Sequence, residues 1–546
     1  MSVAAAAPIL SETLLRRLDV SGPRYTSYPT ADRFVETFGA TQYQEALAQR
    51  ALQAPSGPNE ALSVYVHIPF CEQVCYYCAC NKVVTRHHER AGEYLQAMQT
   101  ELELQLAVLG RDAPLEETHG RPKFPQPPRG ADDVCRRPGG ALEETHGRPK
   151  LPQPPRGAEP APSERLRAHE WLAKATGLAS PVAADAPRRP GGALSQLHFG
   201  GGTPTFLSDT ELDSLMALLR RSFSFRPGAE LSIEVDPRTV DAQRLTHLAE
   251  LGFNRLSFGV QDFDPDVQQA VHRVQPFESV RTLMHAARSI GFDSINVDLI
   301  YGLPRQTPLS FERTIAQVGG LRPDRIALYA YAHLPLRFKP QRRIQSSDLP
   351  PAGDRVQMLG AAIAGFQGLG YAHIGMDHFA LHDDALALAK REGRLHRNFQ
   401  GYSTQPDCDL IALGVSAIGK VGACYSQNVK TLSQYYDALN QGRLPIERGL
   451  GLSRDDLLRR DVIMALMCQG RVEFAIIEQA HGITMRDTFA TELERLELLA
   501  EQGLVELSPH AIQVTPLGWY FVRGVAMVFD RYLAANAVRD RFSRII

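Results

Sequence analysis

Nine positions of the run LSVYVHIPF (62–70) are dominated by β-branched and aromatic residues, a pattern that predicts a buried strand. From Glu89 to Leu109 the period changes. Tyr94, Leu95, Met98, Leu102 and Leu106 recur at helical spacing and predict one amphipathic helix. Further strands are predicted at SQLHFGG (195–201), ELSIEVD (230–236), RLSFGVQ (255–261), SINVDLIYG (294–302) and RIALYAYAH (325–333). Helices fall between them, at about 208–223, 239–252, 277–290 and 309–319. The first of these begins Ser208-Asp-Thr-Glu211, a capping-box signature. Six β/α units in succession imply a parallel sheet with crossover helices, either open or curled as a partial barrel. Ligands in such folds bind at the C-terminal ends of the strands.

One stretch breaks the pattern. LEETHGRPKFPQPPRGA (115–131) recurs as LEETHGRPKLPQPPRGA (142–158), and RRPGGAL (136–142) recurs at 188–194. Residues 111–194 hold 15 of the chain's 37 prolines, which excludes regular helix or strand over most of their length. Connections between a helix and a strand normally take about 2–6 residues, so this is an insertion into an otherwise complete unit. Only SERLRAHEWLAKAT (163–176) within it has a helical pattern. Residues 341–450 form a connecting segment with a helix at 354–368, the motif GMDHFA (375–380), HRNFQGYST (396–404) and the apolar stretch CDLIALGVSAIG (408–419). From 451 to 546 a mostly helical module is expected, with short strands at GLVEL and AIQVT in the manner of a winged helix.

Composition narrows the class. The 546 residues carry 59 Lys+Arg against 61 Asp+Glu, a net charge of −2, which argues against a nucleic-acid protein. A hydrophobic fraction of 44% is ordinary for a chain with a large core. No apolar run approaches the roughly 18–20 residues that cross a bilayer. The start, MSVAAAAPIL, lacks a basic n-region, so a cytoplasmic enzyme with no membrane partner is expected.

Four of the eight cysteines, Cys71, Cys75, Cys78 and Cys80, fall within ten residues, directly after the first strand. In a large chain such a cluster reads as metal-binding rather than as a disulfide framework. A structural zinc site wants four ligands in two pairs, and no second CxxC exists. A [4Fe–4S] cluster on Cys71-x3-Cys75-x2-Cys78 fits better, because three thiolates leave one iron open to another ligand. Zinc and three buried structural cysteines are the competing readings. Gly200-Gly201-Gly202-Thr203-Pro204-Thr205 ends the second strand, where backbone free of side chains can approach a ligand. Glu234, Gln261, Asp298 and Ala332 lie in or near the ends of later strands. Any one of them could simply cap the next helix; together they point to a cofactor.

CxxxCxxC followed by a glycine-rich strand end resembles the radical S-adenosylmethionine (SAM) superfamily. PRYTSYPTA (23–31), YVHIPFCEQVCYYCACNK (65–82), HFGGGTPTFL (198–207), IEVDPR (233–238), NRLSFGVQDF (254–263), DLIYGLPRQT (298–307) and GMDHFA (375–380) more closely resemble the oxygen-independent coproporphyrinogen III oxidases. The likeness implies an α/β fold, a partial (β/α)6 barrel of radical SAM type over 61–340, with a mostly helical C-terminal domain. It implies one [4Fe–4S] cluster on Cys71, Cys75 and Cys78 and two SAM molecules. Tyr65, Gly201, Glu234 and Ile418 would contact the first SAM. Tyr77, Gly202, Thr203, Gln261, Arg273, Asp298 and Ala332 would contact the second. Cys80 and Tyr65 are the candidate catalytic residues, with Cys80 on the substrate side or tuning the cluster. Residues 1–60 and the segment after 340 would cover coproporphyrinogen III, with Arg24 a candidate partner for one of its carboxylates. The expected reaction turns two propionates into vinyl groups in haem synthesis, by a monomer served by an electron donor and acceptor. Two rivals differ in class. A related haem-binding chaperone usually lacks the extra cysteine at Cys80 and carries HNxxYW where this chain has HRNFQGYST. A metal sensor using the winged module would need a basic surface that the sequence does not supply.

Overall fold

Alternation within the strands sorts their residues onto two faces of one sheet. In the computed structural model, which describes residues 22–52, 61–110, 191–405 and 407–534, twelve strands join that sheet. In chain order they are β1 Leu62–Ile68, β2 Ala193–Gly201, β3 Ser224–Val235, β4 Arg255–Gln261, β5 Ser294–Tyr301 and β6 Arg325–Ala330. Then come β7 Tyr371–Gly375, β8 His378–Leu381, β9 Leu410–Leu413, β10 Ile418–Val421, β11 Cys424–Asn428 and β12 Ile446–Gly451. The order across the sheet is β12-β11-β10-β9-β1-β2-β3-β4-β5-β6-β8-β7. Pairing is parallel from β9 through β1 to β6 and antiparallel on both flanks. The six predicted units are therefore the middle of a wider sheet. All described residues belong to one compact unit; most of the Pro-rich insertion and the helix expected at 163–176 lie outside the described residues.

One face is apolar. Val64, Val66, Leu197, Phe199, Ile233, Phe258, Val297, Leu299, Ile326 and Leu328 are all fully buried there. The register places Tyr65, His198, Ser232, Glu234, Ser257 and Asp298 together on the opposite face. Parallel strands covered on both sides normally read as continuous apolar runs. Polar residues at every second position mean that the second face lines a polar interior. Ser208 and Glu211 cap Asp209–Ser222 with the predicted reciprocal hydrogen bonds, and Thr307 with Ser310 does the same for Pro308–Leu321.

Three of the boundaries that differ from the sequence pattern have a local cause. β2 begins at Ala193, because Gly191 and Gly192 already exchange backbone hydrogen bonds with Ser222 and Ser224. β3 starts at Ser224 rather than 230, since Ser224 and Phe225 pair with Ala193 and Leu194 ahead of Gly228, whose φ is +74°. The apolar stretch 408–419 is two strands, β9 and β10, separated by a turn with Gly414 at φ +98°.

After β12, Ser453 caps the helix Arg454–Gln469, and Arg471–Glu473, Val505–Leu507 and Ala511–Val514 form a small antiparallel sheet. Tyr25 and Tyr28 from the N-terminal segment are fully buried in this module's core, among Val462, Leu466, Phe489 and Phe529. Burying each such side chain is worth about 2–3 kcal/mol, which fastens residues 22–31 to the C-terminal helices. No helix among the described residues is long and apolar enough to cross a membrane.

Candidate active site

The cysteine loop is cinched where it leaves β1. Phe70–Cys71 pairs in parallel with Val83–Val84, and the Val83 and Thr85 amides donate to the carbonyls of Pro69 and Cys71 at 2.7 and 2.9 Å. Its far side is pinned by the Tyr76 amide, which donates to Val271 O at 3.0 Å, and by Tyr76 stacked on His272 at 5.0 Å. All four cysteines of the loop are free. Thr203 Oγ1 donates to Cys71 Sγ at 3.3 Å. Arg273 Nη1 and Arg238 Nη2 donate to Cys75 Sγ at 3.5 and 3.6 Å, and both guanidinium groups also hold Asp236, at 3.0 and 2.7 Å. Burial pushes the Cys71 thiol up to about 11. A hydrogen bond from the Cys80 thiol, with the Lys82 ammonium beside it, brings Cys78 down to about 5 against the cost of burial.

This donor set fits an iron–sulfur cluster. Among the described residues no three His, Cys, Asp or Glu side chains converge as they would on a single metal ion. A cubane takes one thiolate per iron and does not ask that of them. Hydroxyl and guanidinium donors aimed at sulfur stabilise the anionic ligands and tune the cluster's potential.

Beside the base of the loop stands the glycine ridge, where the Gly202 and Thr203 amides donate to the carbonyls of Ile68 and Phe70. Gly201 has φ +114°, and a Cβ there would lie 2.7 Å from the His67 ring, so only glycine fits. A Cβ on Gly202 would strike the Pro69 carbonyl oxygen at 2.6 Å. The Gly201 N–H donates to Glu234 Oε2 at 3.2 Å. Tyr65 stacks on His198 at 5.9 Å and hydrogen-bonds His67 Nδ1 at 3.0 Å; burial, then the charge of Glu234, raises its phenol well above the ordinary value. Asp298 accepts from Ser257 Oγ at 3.0 Å and Asn296 Nδ2 at 2.9 Å, and burial followed by the Glu234 charge lifts it to about 6.

The remaining candidates ring the same strand ends. Gln261 closes β4 in the left-handed region, φ +70°, beside Arg273, whose Nη2 donates to Gly259 O at 2.6 Å. Arg273 Nε is buried with no hydrogen-bond partner, a donor left over for a ligand. Gln341 Nε2 donates to Tyr77 O at 2.9 Å and Ala332 O at 3.1 Å, which ties those two positions together. Ile418 opens β10, two strands from Tyr65, and is half-buried.

The radical SAM superfamily model matches residues 184–318, on the far side of the insertion from the cysteines, and the HemN C-terminal domain model matches 452–521. An oxygen-independent coproporphyrinogen III oxidase of Escherichia coli is 42% identical over 533 residues, covering 98% of both chains. The chain belongs to that family. Its relatives of the same name include one from Pseudomonas aeruginosa, 42% identical over 535 residues, and one from Synechocystis, 35% identical over 540. The solved structure of coproporphyrinogen III oxidase (HemN) from Escherichia coli, described as a radical SAM enzyme, superposes with a TM-score of 0.75 at 40% identity and covers 94% of this chain and all of that one. Membership in the oxidase family implies a [4Fe–4S] cluster and SAM, and it disfavours the haem-binding chaperone.

For this member of the oxidase family, several site residues escaped the reading by motif. Asp236 and Arg238 bracket Cys75, His67 and His198 brace Tyr65 and Glu234, and Gln341 bridges Tyr77 to Ala332. The first four lie inside quoted motifs; the alternation of β1 and β2 turns His67 and His198 to the inner face, while Asp236 and Arg238 follow the end of β3. Gln341 carries no such signal.

Proposed function

We propose that this chain converts coproporphyrinogen III to protoporphyrinogen IX. The observation that carries the reading is the three-cysteine loop hydrogen-bonded beside the glycine-rich end of β2, which in turn holds Glu234. Cys71, Cys75 and Cys78 would each hold one iron. Tyr65, Gly201, Glu234 and Ile418 would hold the SAM next to the open iron. Tyr77, Gly202, Thr203, Gln261, Arg273, Asp298 and Ala332 would line a site for a second SAM. Bound together, cluster and SAM supply one-electron cleavage of a sulfonium and hence a group able to abstract hydrogen. Each reacting propionate loses its β-hydrogen to that group, then CO2, and passes one electron to a one-electron acceptor, leaving a vinyl carbon pair.

The chain's own residues provide position and shelter. Arg238 and Arg273 neutralise Asp236 and donate to Cys75, which braces that side of the cysteine loop. The phenol of Tyr65 and the carboxylate of Glu234 stand on one face, fixed by His67, His198 and the Gly201 amide. Cys80, exposed and hydrogen-bonded to Cys78, sits where it can meet the substrate or tune the cluster. Residues 22–31 and the segment after 340 would close over the tetrapyrrole and keep water and oxygen out. The reading makes the protein a cytoplasmic monomer. Anaerobic reconstituted protein given SAM, a reductant, an electron acceptor and coproporphyrinogen III should release CO2 and form protoporphyrinogen IX with methionine and 5′-deoxyadenosine. Formation of 5′-deoxyadenosine with no CO2 from this substrate would refute the assignment.

A further inference from the structure

Arg397 is a buried cation with no anion among the described residues. It sits on the hairpin His396–Asn398/Gly401–Ser403, is 7% exposed, and its Nη1 is buried with no hydrogen-bond partner. Its Nε donates to Arg24 O at 3.3 Å, and its guanidinium lies 4.5 Å from the centre of the Tyr402 ring. Among the described residues no carboxylate pairs with it. Nearby cations have partners of their own. Arg24 crosses the Tyr329 ring at 5.1 Å to reach the Asp377 carboxylate, which also hydrogen-bonds His378 Nδ1 at 2.8 Å. Arg325 pairs with Asp384 at 2.8 Å, and Arg523 donates to the carbonyls of Gly22 and Pro23. Two guanidinium groups, Arg24 and Arg397, thus share the neighbourhood of one carboxylate, Asp377. Burial, then Arg397, depresses the Arg24 guanidinium, and burial, then Arg397 and Arg24, depresses His378, as excess positive charge requires.

An uncompensated buried guanidinium is costly, so a site built this way is completed by a bound anion. The planar fork of an arginine matches a carboxylate. The place is also right. Tyr329 of β6 stands in register with Ile300, two residues beyond Asp298 on the same face, and the charges of Asp298 and Glu234 both reach it. Tyr25 and Tyr28, buried in the C-terminal core, fasten the segment that carries Arg24.

We propose that Arg397, with Arg24 beside it, binds one propionate carboxylate of the tetrapyrrole substrate, with Nη1 of Arg397 as the donor now lacking an acceptor. The identity of the acid rests on the proposed function; the need for a carboxylate at this spot does not. The test uses the full, reconstituted chain with two fluorescent probes, coproporphyrin III and its tetramethyl ester. The unaltered protein should bind the acid more tightly than the ester. Arg397→Gln should weaken acid binding roughly 10- to 100-fold and leave ester binding and SAM binding unchanged. Arg397→Lys should recover part of the loss, and it serves as the deciding variant if Arg397→Gln fails to hold its cluster. Equal binding of acid and ester by the unaltered protein, or unchanged acid binding in the deciding variant, overturns the proposal. Tight, Arg397-dependent acid binding without decarboxylation would uphold this site while refuting the proposed reaction.

Discussion

The guanidinium of Arg273 donates to the sulfur of Cys75 at 3.5 Å while the same nitrogen, Nη1, holds Asp236 at 3.0 Å. One buried cation therefore serves a cluster ligand and a carboxylate together, and Arg238 backs it on both. Arg273→Met should leave Asp236 paired to Arg238, so the protein folds with a loss of about 2 kcal/mol. The cluster should still assemble, but with one fewer donor to sulfur its reduction potential should fall. A potentiometric titration followed by spin resonance checks this. An unchanged potential would mean that Arg273 acts on SAM alone.

Much of this architecture was legible because the strands and helices of β1 to β6 differ in period. The helices Glu89–Leu109 and Phe277–Ile290 and the strand Arg255–Gln261 have the bounds their patterns predict. The flanks were not legible. β9 to β12 are short, their apolar stretch 408–419 runs through a turn, and nothing local shows that Leu410–Leu413 inserts beside β1 rather than beside its sequence neighbours. At the site, spacing exposed Cys71, Cys75 and Cys78 and the glycine ridge. It could not expose Arg397 or Gln341, because Arg24 and Tyr77, which they meet, lie hundreds of residues away in the sequence.

Glu101 offers a pH test away from the chemistry. It is fully buried, accepts from the Gly414 N–H at 2.8 Å, Tyr435 Oη at 2.5 Å and Asn428 Nδ2 at 2.7 Å, and burial lifts its carboxyl to about 7. The folded state then binds a proton that the unfolded chain releases near pH 4.5. Its contribution is complete below that pH and is lost as pH rises toward about 7, a change of about 3 kcal/mol. Glu101→Gln should flatten the fall in melting temperature between pH 5 and 7. Parallel curves for the two proteins would show that Glu101 titrates normally.

Residues 112–190 should be dispensable. Gly110 ends the helix that feeds the insertion, and Gly191 already belongs to the pairing of β2 with the Ser222 end of its neighbour. Long connections cost little, about 0.6 kcal/mol per doubling. Deleting 112–190 should leave iron content and SAM affinity within about twofold, a difference of only ~0.4 kcal/mol. An insoluble product or an empty cluster site would make the segment structural.

The most direct test of the whole account is the iron content and reduced-state spin-resonance spectrum of four single variants, Cys71→Ser, Cys75→Ser, Cys78→Ser and Cys80→Ser, prepared anaerobically with and without SAM. A three-thiolate cluster with an open iron predicts that the first three lose the cluster. Cys80→Ser should keep about four irons and a spectrum that SAM still perturbs. Equal loss of iron in Cys80→Ser, or a spectrum indifferent to SAM in the unaltered protein, would contradict it.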